Sequence, residues 1–180
     1  MDFYLSKEHL MAKQLFNDFA VNEVEPWAEE TDEFHRFPWE VVHKMQEVGL
    51  LGIPFPKELG GQGCDTLVYI LAVEEISKVC ATSGVILSAH TSLAADAIYM
   101  HGTDEQKEKF LRPLIDGRKL GSFALTEAEA GTDAAGQQTK AVRDGDEWLI
   151  NGSKIFITNA QVADTYVVFA MTDKAAGTRG

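Results

Sequence analysis

Cysteine is scarce. Cys64 and Cys80 are the only thiols in 180 residues, too few for a disulfide framework or a thiolate metal cluster, so a reducing compartment is expected. No apolar run approaches the ~20 residues that span a bilayer, and no membrane association is expected. Basic residues are also in short supply, with 16 Lys and Arg against 28 Asp and Glu for a formal net charge of -12. That mean field repels phosphate backbones and excludes nucleic acid as a partner class. A polyanionic small ligand would need a local basic pocket. The N-terminal stretch Met1-Asp2-Phe3-Tyr4-Leu5-Ser6-Lys7-Glu8 lacks the pattern of a signal peptide or an Arg-rich transit sequence, so a soluble, cytoplasmic protein is expected.

Several site motifs are missing as well. His9, His35, His43, His90 and His101 show no H-E-x-x-H or ligand-like pairing, so no metal site is expected. There is no G-x-S-x-G elbow for a serine nucleophile. Gly131 stands outside any G-x-G-x-x-G strand-to-helix context, which argues against a nicotinamide fold.

What is present is an ordinary globular composition, 45% apolar and 24% charged, arranged in two unlike halves. In residues 6–31 apolar positions recur at mixed three- to five-residue spacing and are read as helix, with Ser6 as N-cap and a kink or break expected at Pro26. A helix is expected from Pro38 to a terminator at Gly49. The Gly- and Pro-rich segment 52–63 reads as loop, and Asp65 caps a further helix. Residues 81–100 are rich in small side chains with Asp96 the lone charge. Such a helix is buried all round or packs closely on something large. Thr103-Asp104-Glu105-Gln106 opens another helix, ending near Gly117.

After Lys119 the period changes. Residues 121–125, 139–143, 147–150, 155–158 and 165–171 read as short strands with Asp-Gly and Asn-Gly turns, and 173–180 as a polar turn. The fold class is therefore α+β, with an all-α domain over residues 1–118 and a β domain over 119–180.

Two of these strand-like runs end in threonine hydroxyls. Thr126 follows Phe123, Ala124 and Leu125 and precedes a loop containing Gly131 and Thr132, while Thr158 follows Phe156 and Ile157. Paired hydroxyls, a nearby aromatic face and a glycine where backbone could approach phosphate suit a flat heteroaromatic ring with a pyrophosphate, a flavin. Taken singly, each threonine is an ordinary strand former. Glu127, beside this site, is read as ordering the loop in preference to acting as a base, because the charges of Glu129 and Asp133 would compete with it. His90 is read as hydrogen-bonded within a helical interface in preference to facing a ligand. The 81–100 helix is read as plain core or as a wall for an acyl chain, with neither favoured.

The chain resembles the acyl-CoA dehydrogenase family, especially its short-chain, butyryl-CoA-type members. The resemblance rests on Gly49-Leu50-Leu51-Gly52-Ile53-Pro54 with Gly60-Gly61-Gln62-Gly63, on Gly102-Thr103-Asp104-Glu105-Gln106-Lys107, on Leu125-Thr126-Glu127 with Ala130-Gly131-Thr132-Asp133, and on Asn151-Gly152-Ser153-Lys154-Ile155-Phe156-Ile157-Thr158-Asn159. It runs over essentially the whole chain in the family's order.

That resemblance implies a helical domain, a β-barrel-like middle domain that is truncated here, and a C-terminal four-helix domain absent from this chain. It implies non-covalent FAD, lined by Phe123, Leu125, Thr126, Gly131 and Thr132 on one side and by Phe156, Ile157 and Thr158 on the other. Thr158 would sit near the flavin's reactive nitrogen, Phe156 replaces the Trp of many relatives, and Thr132 would also touch the acyl-CoA. The implied reaction is α,β-dehydrogenation of a short-chain acyl-CoA in fatty acid metabolism, with electron-transfer flavoprotein as acceptor and a homotetramer as the assembly. The family's catalytic Glu lies on the C-terminal domain, so no catalytic residue is expected in this chain. Ala128-Glu129 replaces the usual Pro-Gly, a change expected to loosen the turn. The competing readings are a flavin oxidase or monooxygenase of the same architecture, and a non-catalytic binding module.

Overall fold

Local capping sets the helices. The computed structural model describes residues 4–180; Met1, Asp2 and Phe3, part of the N-terminal stretch read above, lie outside them. Helix α1 (Lys7–Phe19) starts where the Ser6 hydroxyl accepts the His9 N–H at 3.2 Å. Helix α4 (Thr66–Val79) starts where Asp65 accepts the Val68 N–H at 2.9 Å. The His9 ring spans both caps, 2.9 Å from Asp65, so α1 and α4 lie side by side with their N-termini together. Between them run α2 (Glu25–Phe34) and α3 (Trp39–Glu47), the latter followed by Gly49 at φ +74°, the left-handed stop expected from the sequence.

Pro26 does not break the chain's helical course. The turn before it, Ala20–Val24, is widened to π geometry, with the Glu25 N–H bonded back to Ala20. This relieves the collision between a proline ring and the carbonyl four residues earlier, so α1 and α2 remain one helical run.

The small-residue stretch forms α5 (Ala81–Ser88), a second π-helical segment (Ala89–Ala95) and α6 (Asp96–His101). A reciprocal capping box between Thr103 and Gln106 then opens α7 (Asp104–Gln106), and after a further π turn the helical half ends in α8 (Arg112–Ile115). The helical core gathers Met45, Leu51, Ile76 and Leu87, each out of contact with water.

The second half is a small sheet domain. Strand β1 (Gly121–Ala124) pairs parallel with β4 (Thr165–Val168), in the register Gly121 to Thr165. Strands β2 (Lys140–Asp144) and β3 (Glu147–Asn151) form an antiparallel hairpin turned at Gly145, φ +61°. The expected strand over residues 155–158 is not formed. That stretch is irregular, with Phe156 at φ +56° and Asn159 at φ +67°, and its polar bonds go to β1 residues instead of to a ladder. The C-terminal stretch is a 3₁₀ turn, Lys174–Arg179.

Helix and sheet meet along the π segment. A Cβ on Gly121 would lie 2.8 Å from the Ala94 Cβ, so glycine opposite alanine lets β1 sit directly on the helix. The small-residue run thus packs on the sheet as well as on the helical core.

Candidate functional site

Strand β1 delivers one wall of a cleft and the irregular 152–159 stretch delivers the other. Backbone and side chain bonds stitch them together: Ile155 N–H to the Thr126 carbonyl at 3.0 Å, the Ser122 hydroxyl to the Thr158 carbonyl at 2.7 Å, and the Asn159 amide to the Gly121 carbonyl at 3.1 Å. The two stretches that the sequence separates are neighbours in space.

Between them lies a cleft of about 270 Å³, lined by Phe123, Leu125, Thr126, Phe156, Ile157 and Thr158, with Ala89 and Leu93 of the π segment closing a third side. Six of the eight residues singled out in the sequence line this one cleft. Phe123, Leu125, Thr126, Ile157 and Thr158 are half-buried, while Phe156 is 88% exposed. Neither threonine hydroxyl is hydrogen-bonded to another described residue. Phe123 packs on Phe169 of the segment after β4, ring centroids 5.0 Å apart. The cleft's lining is apolar apart from two threonines, and Thr158 also borders a second cavity with Asn159 and Gln161.

Gly131 and Thr132 stand apart. Both are exposed and neither lines the cleft. A Cβ on Gly131 would meet nothing within 4 Å, so no contact of this chain requires glycine there. The Ala128-Glu129 turn is not loose: Glu127 and Ala130 exchange both backbone bonds, at 3.0 and 3.2 Å.

Glu127 is buried behind the cleft wall. Burial alone would push its carboxyl up, but the Lys154 ammonium 2.8 Å away and the backbone N–H groups of Gln138 and Thr139 hold it at about 2. A carboxylate so engaged orders the loop and does not serve as a base. Lys154 also donates to the Leu125 carbonyl at 2.8 Å and to Gln137 at 3.0 Å. Sequence reasoning assigned Glu127 to ordering the loop but missed its partner, because nothing in Ser153-Lys154-Ile155 marks the lysine as buried.

His90 is fully buried and faces no cleft. Its Nδ1 accepts the Gly121 N–H at 3.0 Å, and its Nε2 donates to the Leu114 carbonyl at 3.2 Å. Those two bonds require the neutral ring, and burial pushes its pKa down to about 4. The interface reading of this histidine stands. Ala89 and Leu93 were within the sequence's candidate wall, though their periodicity does not distinguish wall from core.

A helical domain joined to a small sheet domain, with a threonine-bearing cleft where they meet, defines an α+β architecture. The chain belongs to the acyl-CoA dehydrogenase family. Residues 6–118 match the family's N-terminal domain and residues 122–180 its middle domain. The short-chain-specific acyl-CoA dehydrogenase of Clostridium acetobutylicum is 60% identical over 180 residues, covering 100% of this chain and 48% of the relative. The structure of butyryl-CoA dehydrogenase from Megasphaera elsdenii superposes with a TM-score of 0.93 at 46% identity, over 100% of this chain and 48% of that one. A chain in the structure of the electron transferring flavoprotein of Acidaminococcus fermentans gives 0.95 at 53% identity, over 100% and 47%. The acyl-CoA dehydrogenase of Bacillus anthracis, solved in complex with FAD, gives 0.88 at 36% identity, over 94% and 30%. The chain spans about half the length of the curated relatives it matches. Among the described residues no helix is long and apolar enough to cross a membrane.

Proposed function

We propose that this chain supplies the flavin seat of an FAD-dependent dehydrogenase that converts a short-chain acyl-CoA to the trans-2-enoyl-CoA. The observation that carries the reading is the convergence of Phe123, Leu125, Thr126, Phe156, Ile157 and Thr158 on one cleft, with two hydroxyls unpartnered among the described residues. Those groups fit an isoalloxazine, whose faces are apolar and whose edges need donors. FAD, when bound, supplies the acceptor for the hydride leaving the β-carbon of the thioester.

The chain's own part is orientation and exclusion of water. Thr126 and Thr158 address the ring's edges, Phe156 offers an aromatic face, and Ala89 and Leu93 close the helical side. Gly131 and Thr132, outside the cleft, are assigned to the pyrophosphate, and Thr132 also to the acyl-CoA. Near them stand Glu129 and Asp133, so the pyrophosphate is held by backbone N–H groups and a hydroxyl, with no cation from this loop. No residue of the cleft is assigned as the base. The electron acceptor is an electron-transfer flavoprotein, and the assembly a cytoplasmic homotetramer; support for the acceptor is the similarity to a chain in the Acidaminococcus structure.

The test uses the full-length polypeptide reconstituted with FAD. Anaerobic addition of butyryl-CoA should bleach the bound flavin, and reoxidation by oxygen should be slow. Rapid reoxidation favours the oxidase reading, and failure to retain flavin removes the assignment.

A further inference from the structure

Directly behind the cleft wall, the Lys154 ammonium and the Glu127 carboxylate form an ion pair, Nζ to Oε1 2.8 Å, with the side chains 10% and 7% exposed. Every donor of the ammonium is in use: Glu127, the Leu125 carbonyl at 2.8 Å and Gln137 Oε1 at 3.0 Å. Both carboxylate oxygens are in use too, accepting from the N–H groups of Gln138 and Thr139. Three separate segments are thereby locked to one another: residues 125–127 just after β1, the 137–139 stretch and the start of the 154–158 wall. Leu125 is itself a cleft-lining residue, so the ammonium holds the backbone of a residue that lines the cleft.

Neither charged side chain lines the cleft. The pair therefore acts through position and through field. As a pair it is neutral and its field largely cancels. Either charge alone, behind a single residue's thickness of low-dielectric wall, would not cancel.

We propose that Glu127 and Lys154 are positioning residues that fix the Leu125–Thr126 wall and keep the electrostatic potential of the cleft near neutral, so that each, left without the other, displaces the reduction potential of a flavin seated there in opposite directions. This rests on the flavin reading above. Two-electron reduction, with dithionite as donor, adds negative charge to the ring system. A lone ammonium behind the wall favours the reduced form, and a lone carboxylate disfavours it.

The experiment compares full-length flavoprotein as wild type, Glu127→Gln, Lys154→Met and the double variant, titrated at pH 8 against a reference dye. Glu127→Gln should favour reduction by roughly tenfold in the equilibrium constant, about 30 mV for a two-electron couple. Lys154→Met should disfavour it by a similar factor, because two backbone N–H groups still hold the carboxylate ionised. The double variant should return to within about threefold of wild type, since the two lone-charge fields are removed together. A merely structural pair would give shifts of one sign, or none, and that result overturns the proposal. Should Lys154→Met fail to fold, Glu127→Gln and the double variant still decide, one raised and the other restored. Flavin bound with identical potentials in all variants refutes this inference and leaves the flavin reading standing, whereas a wild type that binds no FAD ends both.

Discussion

His90 and Gly121 are tied ring to backbone: the imidazole Nδ1 accepts the Gly121 N–H at 3.0 Å while Nε2 grips the Leu114 carbonyl at 3.2 Å. One side chain thus joins the last helix of the helical half to the first residue of the first strand. From Gly121 the connection continues outward, through its carbonyl to Asn159 and through Ser122 to Thr158. The cleft's geometry is therefore anchored in the interior of the helical half.

The His90 ring, held down at about 4 against an ordinary 6.5, predicts a specific pH dependence. Between pH 6.5 and about 4 the unfolded chain takes up a proton that the folded chain refuses. Stability should be fully present above pH 6.5, fall as pH drops through that window, and level off with respect to this group below pH 4. The loss has an upper limit between about 3 and 4 kcal/mol, at about 1.4 kcal/mol per pH unit. His90→Gln keeps one donor and one acceptor but cannot titrate, so its thermal midpoint should vary less with pH across the same window. A variant with the wild-type slope would assign the dependence to other groups.

Gly121→Ala should cost about 2 kcal/mol, the usual range for overpacking a tight contact, because the new methyl would stand 2.8 Å from the Ala94 Cβ. Relief requires β1 to lift from the helix, which widens the cleft and weakens FAD binding. Gly131→Ala, in open space, should change stability by less than about 0.5 kcal/mol. Thermal unfolding of the two variants, side by side, checks both numbers.

Phe156 is 88% exposed at φ +56°. Phe156→Gly gains roughly 1 kcal/mol of relieved left-handed strain and loses a similar amount to glycine's chain entropy, so stability should stay within about 1 kcal/mol. FAD affinity should fall roughly fivefold, the equivalent of one aromatic contact. Equal affinity in the glycine variant would deny the ring a stacking role.

Thr158→Ala should slow single-turnover flavin reduction by roughly tenfold, the worth of one hydrogen bond, with acyl-CoA affinity changed by less than about twofold. Rapid-mixing absorbance on the full-length enzyme separates the two. An unchanged rate removes the orienting role from this hydroxyl.

The legible parts of the chain were those written locally. Ser6, Asp65 and the Thr103–Gln106 box start helices where their side chains meet backbone N–H groups within one turn, and Gly49 stops one by its positive φ. Residues 155–158 misled, because Ile-Phe-Ile-Thr carries strand propensity while its actual partners, Ser122 and Thr126, lie far away in sequence. At Pro26, where a kink or break was expected, the α-helix is interrupted by a widened turn just upstream that absorbs the ring, and nothing in the residue pattern marks that form. The threonine pair could be picked out because both ends carry the same chemistry. The Lys154–Glu127 lock could not, since burial and partner are both set by the tertiary fold.

The most direct test of the account is a crystal structure of the full-length polypeptide with FAD bound. The account predicts the isoalloxazine in the cleft between residues 123–126 and 156–158, with the Thr126 and Thr158 hydroxyls within about 3.2 Å of its polar edge atoms. A ring seated elsewhere, or both hydroxyls turned away from it, would contradict the account.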